Sequence, residues 1–322
     1  MGLDIQRILD PTQVLDLAPI LADLLKAALA TAPHYRPVAV EELGRRVHND
    51  TRFSQRALLV AFSDGTPCGW CHLEPLGLAQ AAGDLYPYAG AQIVFQPGLP
   101  HVHAGDGYSA VVRALLYAAC QIRAQQGAAV AELYAPADSA ADDALRAEGF
   151  QPVDAWATYV TGLSGAKAGR APLHVSSVKA AGLDRVPALL REVGLLAGDF
   201  EPSDLAALIA SCPDFDAQGL LLAQSAGEIV GYAAVMVDRA YVAATGRKRA
   251  WLGFGPFGLA ALPGPEHAER IATLVSAARI SAFCRGATEL AFVANAEGRQ
   301  PVIWAERGFE MEVPWRRWRT EL

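Results

Sequence analysis

The residues best placed to do chemistry lie in the segment 95–108, which reads FQPGLPHVHAGDGY. An apolar run precedes this segment, and a helical pattern from Ser109 to Gln125 follows it. The order predicts a strand, a loop carrying Gly105 and Gly107, and a helix whose first backbone N–H groups are free. Such a helix start carries about half a positive charge and unpaired donors, so it can bind a phosphate group. A plain turn is the alternative, since many loops contain two glycines at this spacing.

Composition limits the partners that the chain can have. Its 322 residues suit two domains of about 150 residues each. The net charge of −7 disfavours nucleic-acid binding, which needs a basic surface. Five cysteines at irregular spacing are typical of reduced thiols, and Met1 to Asp10 has no apolar core, so we expect a cytoplasmic protein. Charged residues interrupt the apolar run Val14 to Ala30, so no membrane span is predicted.

A metal site is not predicted. His101 and His103 form the one pair with a ligand-like spacing in the glycine-bearing loop. No cysteine stands near them in sequence, and a metal usually needs three or four ligands. We therefore expect a histidine pair without a metal, with His103 close to a bound phosphate as an alternative.

The elements of the first half form a series that recurs in the second half. We predict a strand, two helices, a hairpin, a strand, the helix from Ser109, a strand, a short helix and a strand that ends at Thr161. The segment 162–172 is rich in glycine and typical of a linker. The same order then returns, which predicts an α/β fold with mixed sheets in two domains, residues 1–163 and 171–322.

Single residues recur together with the elements. Four pairs share one spacing of 159 residues, as their numbers show: Phe95 and Phe254, Gly105 and Gly264, Gly127 and Gly286, Gly149 and Gly308. Four matches at one spacing on matching elements indicate that one domain has been duplicated.

The repeated unit resembles the GNAT superfamily of N-acetyltransferases. The order of elements carries the resemblance, and the second half adds the segment Glu289 to Asn295 followed by Val302 to Glu310, which is similar to the family's strand, Asn, helix and Gly-Phe series. The resemblance covers nearly all of both halves. It implies two GNAT-like acyl-CoA N-acyltransferase domains in tandem, with acetyl-CoA or another acyl-CoA as cofactor.

The resemblance also implies where the cofactor binds. The family's loop reads Gln/Arg-x-x-Gly-x-Gly/Ala, and its amides hold the pyrophosphate of coenzyme A. The first copy has both glycines but has Val102 in place of Gln or Arg, and the second copy keeps only Gly264 before Pro265 and Glu266. The first copy is therefore favoured. The implied cofactor-binding residues are Phe95, Gln96, His103, Ala104, Gly105, Asp106, Gly107, Tyr108 and, from the second copy, Asn295.

The catalytic groups are the weakest part of the resemblance. Many family members protonate the leaving thiolate with a Tyr on the last helix, but Leu145 and Trp304 stand at the matching positions. Transfer of an acyl group to an amine still needs a base. Tyr134, Asp84 and Tyr88 are our candidates because each lies near the predicted loop or at the exit of the next strand.

The resemblance implies an acyl-CoA-dependent N-acyltransferase, with acetyl favoured and with one domain degenerate. The predicted acceptor is an amine of a small molecule, and a homodimer is left open. The alternative is a non-catalytic protein of the same fold that binds coenzyme A or another ligand as a sensor or assembly module. The missing Tyr in both copies favours that alternative.

Overall fold

The computed structural model describes residues 2–29, 57–73, 101–102, 107–137, 141–164, 173–178, 185–195, 217–237, 239–252 and 259–322. These residues form two compact units. The first unit draws its described residues from 1–76, 94–157 and 313–322, and the second unit draws them from 158–312.

The first unit begins with an antiparallel sheet. Strand β1 (Leu3–Ile8) pairs with β2 (Ala57–Ser63), β2 pairs with β3 (Thr66–Leu73), and β3 pairs with β4 (His101–Val102). The turn between β2 and β3 has positive φ angles of 50° at Asp64 and 80° at Gly65. Asn, Asp and Gly adopt such angles most readily, so Asp-Gly closes a two-residue hairpin as predicted.

The helices of the first unit follow the apolar pattern of the sequence. They are α1 (Pro11–Leu29), α2 (Tyr108–Gln125) and α3 (Asp142–Ala147). The apolar face of α2, including Val112 and Leu115, is fully buried in a core that also contains Leu133 and Trp318. Burial of a large aliphatic side chain contributes roughly 1.5–3 kcal/mol, so this face fixes α2 on the sheet.

The remaining strands of the first unit come from distant parts of the chain. Strand β5 (Val130–Pro136) pairs antiparallel with β13 (Glu310–Glu321), with Leu133 opposite Trp318. Strand β6 (Gln151–Gly162) is the other neighbour of β13. Among the described residues, β5 has no strand partner on its other side, and β4 belongs to a different sheet.

The second unit is built around a mixed sheet in the order β6, β12, β10, β9, β8, β7. The strands that follow β6 are β7 (His174–Ser177), β8 (Leu220–Ser225), β9 (Glu228–Val237), β10 (Arg249–Leu252), β11 (Leu259–Ala261) and β12 (Glu289–Asn295). The helices are α4 (Val186–Glu192), α5 (Arg239–Thr245), α6 (His267–Cys284) and α7 (Gln300–Glu306), with a 3-10 turn at Ala217–Gly219. The sheet is thus mixed, with β10 and β12 parallel and the β8–β9 hairpin antiparallel.

The elements of the two units repeat at the spacing found in the sequence. Helix α2 spans 108–125 and α6 spans 267–284, β5 spans 130–136 and β12 spans 289–295, and β6 spans 151–162 and β13 spans 310–321. Each second member begins and ends 159 residues after the first. The predicted repeat of elements is therefore present in the structure over this region.

The last strand of each sequence half, β6 or β13, lies partly in the compact unit formed mainly by the other half. Strand β6 ends the first half, but its residues from Thr158 onward belong to the second unit, where β6 pairs with β12. Strand β13 ends the second half, but its residues from Val313 onward belong to the first unit, where β13 pairs with β5. The compact units therefore differ from the predicted domains, 1–163 and 171–322, in their last strands.

One smaller expectation needs correction. The basic and aromatic residues from Trp315 to Arg319 favour an edge strand with one charged face, but β13 has a neighbour on each side. The strand predicted from Trp251 to Phe257 coincides with the end of β10 at Trp251 and Leu252, and residues 253–257 lie outside the described residues. The helices predicted at 38–49 and 203–211 lie outside the described residues.

Candidate functional site

The start of α2 is an open helix N-terminus. Its N-cap, Gly107, has φ −96° and ψ −3°, and no side chain caps it. The N–H of Val111 donates to the carbonyl of Gly107 at 3.1 Å, so the three preceding N–H groups have no acceptor within the helix. Gly107, Ser109 and Ala110 are exposed, and a Cβ added at Gly107 would meet no atom within 4 Å.

Tyr108 anchors this helix start to the core. Its side chain is partly buried and packs against the core cluster that contains Leu115. Burial raises the pKa of the Tyr108 phenol, which is therefore protonated at neutral pH. The ring thus serves as an apolar anchor below the exposed donors.

The start of α6 is the counterpart of this site, and it carries acidic residues. The N-cap is Glu266, and Glu269 lies in the first turn. These two residues stand 159 positions after Gly107 and Ala110. Arg270 donates from Nη2 to Oε2 of Glu266 at 3.0 Å and from Nη1 to the carbonyl of Leu262 at 3.2 Å. Carboxylates at a helix start repel a phosphate that would bind there, so α6 is the poorer anion site.

Two strands near these helices, β12 and β5, have no described partner along part of one edge. In the second unit, β10 and β12 are parallel and pair from Arg249 with Glu289 to Trp251 with Ala291. Further along, β11 continues beside β9 and does not pair with β12 among the described residues. In the first unit, the edge of β5 that faces away from β13 has no described partner.

Most of the predicted loop residues cannot be placed. Asp84, Tyr88, Phe95, Gln96, His103, Ala104, Gly105 and Asp106 lie outside the described residues. Gly107 and Tyr108 lie at the start of α2 as predicted. Tyr134 lies on β5, where its backbone is opposite Arg317.

Asn295 ends β12 and shapes the turn into α7. Its Oδ1 accepts a hydrogen bond from the N–H of Glu297 at 2.7 Å, and its carbonyl accepts one from the hydroxyl of Tyr159 at 3.4 Å. The side-chain oxygen is thus engaged locally, while the side-chain amide can still donate. A role of Asn295 in cofactor binding stays a prediction.

The positions that match the family's acid are buried and apolar. Leu145 is fully buried in the core of the first unit. Trp304 is 2% exposed and packs against Phe292, with ring centroids 4.6 Å apart, and against Phe309. Neither side chain can protonate a thiolate.

The buried thiol of Cys71 and the partly buried thiol of Cys120 are also unsuited to covalent chemistry. Burial raises the pKa of Cys71 to about 12 and that of Cys120 to about 11. Because the thiolate is the nucleophile, these two cysteines do not favour an acyl-cysteine intermediate.

Sequence reasoning missed a buried ion cluster in the second unit. The fully buried guanidinium of Arg249 donates to Glu289 at 2.6 Å and to Glu312 at 2.8 and 2.9 Å. Burial alone would raise the pKa of Glu312, but the hydrogen bonds and charges of Arg249 and Arg247 outweigh burial and hold this pKa below its ordinary value. The cluster lies at the amino ends of β10 and β12, away from the start of α6, so it clamps the sheet.

A second ion array lies in the first unit. Glu132 on β5 accepts from Nε of Arg319 at 2.6 Å and lies 3.5 Å from Nη1 of Arg317. Arg317 also donates from Nε to Asp154 of β6 at 3.1 Å, and Trp156 donates to the same carboxylate at 2.7 Å. The alternation of charged residues around Arg317 was visible in the sequence, but their partners were not.

Membrane-spanning helices and clusters of metal ligands are both absent from the described part of the chain. No described helix is long and apolar enough to cross a membrane. No group of three or more His, Cys, Asp or Glu residues is arranged to hold a metal ion among the described residues.

Comparison with solved structures agrees with this architecture. The chain matches a GCN5-related N-acetyltransferase from Sphaerobacter thermophilus with a TM-score of 0.63 at 17% identity, over 99% of this chain and 95% of that one. It matches a tandem GNAT protein of the clavulanic acid biosynthesis pathway with a TM-score of 0.64 at 16% identity, over 99% and 98%.

A third match is to part of a larger enzyme. It is the GCN5-related glucosamine N-acetyltransferase region of a fungal multi-domain GH3 β-N-acetylglucosaminidase, with a TM-score of 0.67 at 12% identity. This chain is covered over 99% of its length but spans 38% of that protein. No protein-family model and no curated protein sequence matches the chain. The order of elements and these matches show that the chain has the fold of the GCN5-related N-acetyltransferases in tandem form.

Proposed function

We propose that this protein is an acyl-CoA-dependent N-acyltransferase that transfers an acyl group, with acetyl favoured, to an amine of a small molecule. We place its cofactor site in the first unit. The observation that carries this assignment is the difference between the two helix starts. Helix α2 offers exposed, uncapped donors with no acidic residue in its first turn, whereas α6 has Glu266 and Glu269 at the corresponding positions.

The donor set at α2 suits a diphosphate. Three backbone N–H groups point along the helix axis toward its start, where the helix dipole favours an anion. Open space next to Gly107 lets a bulky group approach the backbone. An extended arm with amide groups would lie along β5, whose backbone N–H and C=O groups can pair with such groups. These features together fit coenzyme A.

The chain's own residues would bind and orient the reactants. When bound, acetyl-CoA supplies an acyl group activated as a thioester. In the overall reaction the C–S bond breaks, a C–N bond forms, the amine loses a proton and the thiolate gains one. An amine with a pKa near 10 is slightly deprotonated at neutral pH, so a weak base such as Asp84, Tyr88 or Tyr134 acting through water suffices. Orientation of two bound reactants can contribute about 7–11 kcal/mol to lowering the barrier.

A non-catalytic ligand-binding protein is the second candidate. Leu145 and Trp304 favour it, because both are buried and neither can donate a proton to sulfur. Release of free thiol from acetyl-CoA in the presence of an amine panel separates the two candidates. Thiol release that depends on an amine supports the transferase, and cofactor binding without release supports the binder.

The cofactor site is tested by giving α2 the residue that α6 has. Ala110→Glu should weaken acetyl-CoA binding by about tenfold or more, because a carboxylate would face the diphosphate. The fold should persist, since an acidic residue in a first turn stabilises a helix. Ala110→Gln has the same size without the charge and should bind like the parent protein. Isothermal titration calorimetry measures the three dissociation constants.

A matched change in the second unit locates the site. Glu269→Ala alters the corresponding position in α6 and should leave acetyl-CoA affinity unchanged. Unchanged affinity in Ala110→Glu, or a loss in Glu269→Ala, would contradict a site at α2.

A further inference from the structure

A row of charged side chains lies on one face of the sheet in the first unit. Trp318 and Leu133 face the core beneath α2. Residues alternate between the two faces of a strand, so Arg317 and Arg319 of β13 and Glu132 of β5 lie on the opposite face. Their ion pairs confirm that they share this face with Asp154 of β6.

The second copy of the fold does without these charges. The residues 159 positions away from Glu132, Arg317 and Arg319 are Ala291, Thr158 and Val160, and Asp154 corresponds to Val313. Ala291 and Thr158 are fully buried in the second unit. Uncharged residues therefore serve at these positions in one copy, so the fold itself does not require the charged array.

The array presents its positive groups to solvent. The side chain of Glu132 is 5% exposed and that of Asp154 is 14% exposed, whereas that of Arg319 is 41% exposed. Arg319 directs its Nε and Nη2 at the carboxylate of Glu132, with which it forms an ion pair. Its Nη1 has no partner among the described residues, and a guanidinium whose remaining donors face water can bind an oxyanion.

The position of Arg319 limits the size of such a ligand. Arg319 lies opposite Glu132, four residues before Pro136 at the end of β5. Four residues of a strand span about 13 Å. An anionic group held at Arg319 and an amine held at the end of β5 thus fit within one small molecule.

We propose that the acceptor amine carries an oxyanion group, a carboxylate or a phosphate, and that Arg319 binds it. Arg317 lies between Glu132 and Asp154 and holds the array together. The carboxylate of Glu132 fixes the orientation of the Arg319 guanidinium by contacting two guanidinium nitrogens, Nε and Nη2. This inference rests on the proposed transferase function, which it deepens by naming the class of acceptor.

The experiment compares matched acceptors that differ only in the anionic group. Phenylalanine is paired with phenethylamine, and phosphoethanolamine is paired with ethanolamine, with acetyl-CoA as donor. The parent protein should prefer the anionic member of at least one pair, and which pair shows the preference distinguishes a carboxylate from a phosphate. Arg319→Gln should lower this preference, measured as a ratio of kcat/KM values, by about tenfold. The loss should come from a higher KM for the anionic acceptor. Arg319→Lys keeps the charge and should recover part of the preference.

A structural role of Arg319 must be separated from ligand binding. The double variant Glu132→Gln with Arg319→Gln leaves no unpaired carboxylate and should fold, and it should lose the preference as Arg319→Gln does. Equal use of both members of each pair overturns the inference. A fall in melting temperature with the acceptor preference intact overturns it as well, because the array would then only clamp strands.

The proposed oxyanion site can also be tested when no acyl transfer is found. Binding of the four acceptors is then measured by thermal shift in the parent protein and in Arg319→Gln, and acetyl-CoA binding is measured separately. Anionic acceptors that stabilise only the parent support the oxyanion site although the transferase proposal has failed. No difference between anionic and neutral acceptors overturns the site, whatever acetyl-CoA does.

Discussion

At the scale of single residues, Arg249 is the most constrained charged group in the described chain. Its guanidinium is fully buried and lies over the ring of Tyr241 at 4.7 Å. Two carboxylates, Glu289 and Glu312, balance the positive charges of Arg249 and of the more exposed Arg247. Removal of one partner from such a cluster leaves buried charge without compensation, which costs far more than the loss of a surface pair.

Arg249→Met should therefore destabilise the protein by about 3–5 kcal/mol. Arg247→Met is the matched control, since Arg247 contacts the same two carboxylates but is 44% exposed, and it should cost about 0–1 kcal/mol. Chemical denaturation measures both changes in the free energy of unfolding. Equal losses in the two variants would show that burial of Arg249 does not decide its contribution.

The same cluster predicts how stability depends on pH. The pKa of Glu312 is lowered from an ordinary value of 4.5 in the folded protein. Its contribution is thus fully present above that ordinary pKa and is lost as the pH falls through the lower folded pKa. Glu312→Gln removes this carboxylate, so its free energy of unfolding should fall less steeply than the parent's on acidification below pH 4.5. Parallel curves for the two proteins would contradict the assignment.

The sequence predicts local elements of this protein better than it predicts which distant residues pair with each other. The helix predicted over 109–125 spans 108–125, because period and apolar spacing are local properties. The hairpin at Asp64 and Gly65 is confirmed for a similar reason, since the turn residues fix its geometry. Arg249 and Glu289 are 40 residues apart, and nothing in either residue type shows that they pair.

The candidate site was predictable only in part. The free helix start at Gly107 follows from a glycine before a periodic segment. The charged row of Arg319, Arg317 and Glu132 depends on the pairing of β13 with β5. In this pairing Arg319 lies opposite Glu132, which is 187 residues earlier in the sequence. An alternating strand shows which of its residues share a face, but it does not show which strand lies beside it.

At the scale of elements, two glycines decide how closely the long helices and the sheets approach. A Cβ on Gly231 of β9 would lie 2.8 Å from the carbonyl oxygen of Ala260 and 2.9 Å from Cδ1 of Leu274 on α6. A Cβ on Gly69 of β3 would meet side chains alone, at 2.8 Å from Val102 and Val111. The first contact is with backbone and the second is with side chains that can rotate.

Gly231→Ala should therefore cost about 1–3 kcal/mol, because β9 and β11 must separate. Gly69→Ala should cost less, since its neighbours can adjust. Gly162→Ala is the control, as no atom lies within 4 Å of the added Cβ. Thermal unfolding ranks the three variants by stability. A Gly231→Ala protein as stable as Gly162→Ala would contradict the claim that the close backbone contact excludes a side chain at residue 231.

At the scale of the whole molecule, the first unit depends on residues that lie far from it in sequence. Residues 313–322 supply the strand beside β5, and Trp318 of that strand is fully buried in the first unit's core. Without them, β5 would lose its hydrogen-bonded partner, and Leu133 and Leu145 would lose a large apolar neighbour. A domain cut at 163 is thus an incomplete first unit.

A chain that ends at residue 312 should fail to unfold cooperatively and should expose apolar surface. Loss of Trp318 alone removes about 3–5 kcal/mol, which is a large part of the stability of a typical domain. Circular dichroism melts and binding of an apolar dye measure the two effects, and a separately supplied peptide of residues 309–322 should restore part of the transition. A sharp melt at the parent temperature without the peptide would contradict the role of β13.

The placement of β13 also sets an order of events during protein synthesis. A ribosome makes residue 157 well before residue 313, and at about 5–20 residues per second the interval is roughly 8–30 s. During that time the newly made first unit has an open place in its sheet, next to β5. Chaperones that cover unpaired strands would have their longest access to this protein there, and mistakes in its assembly would begin at that gap.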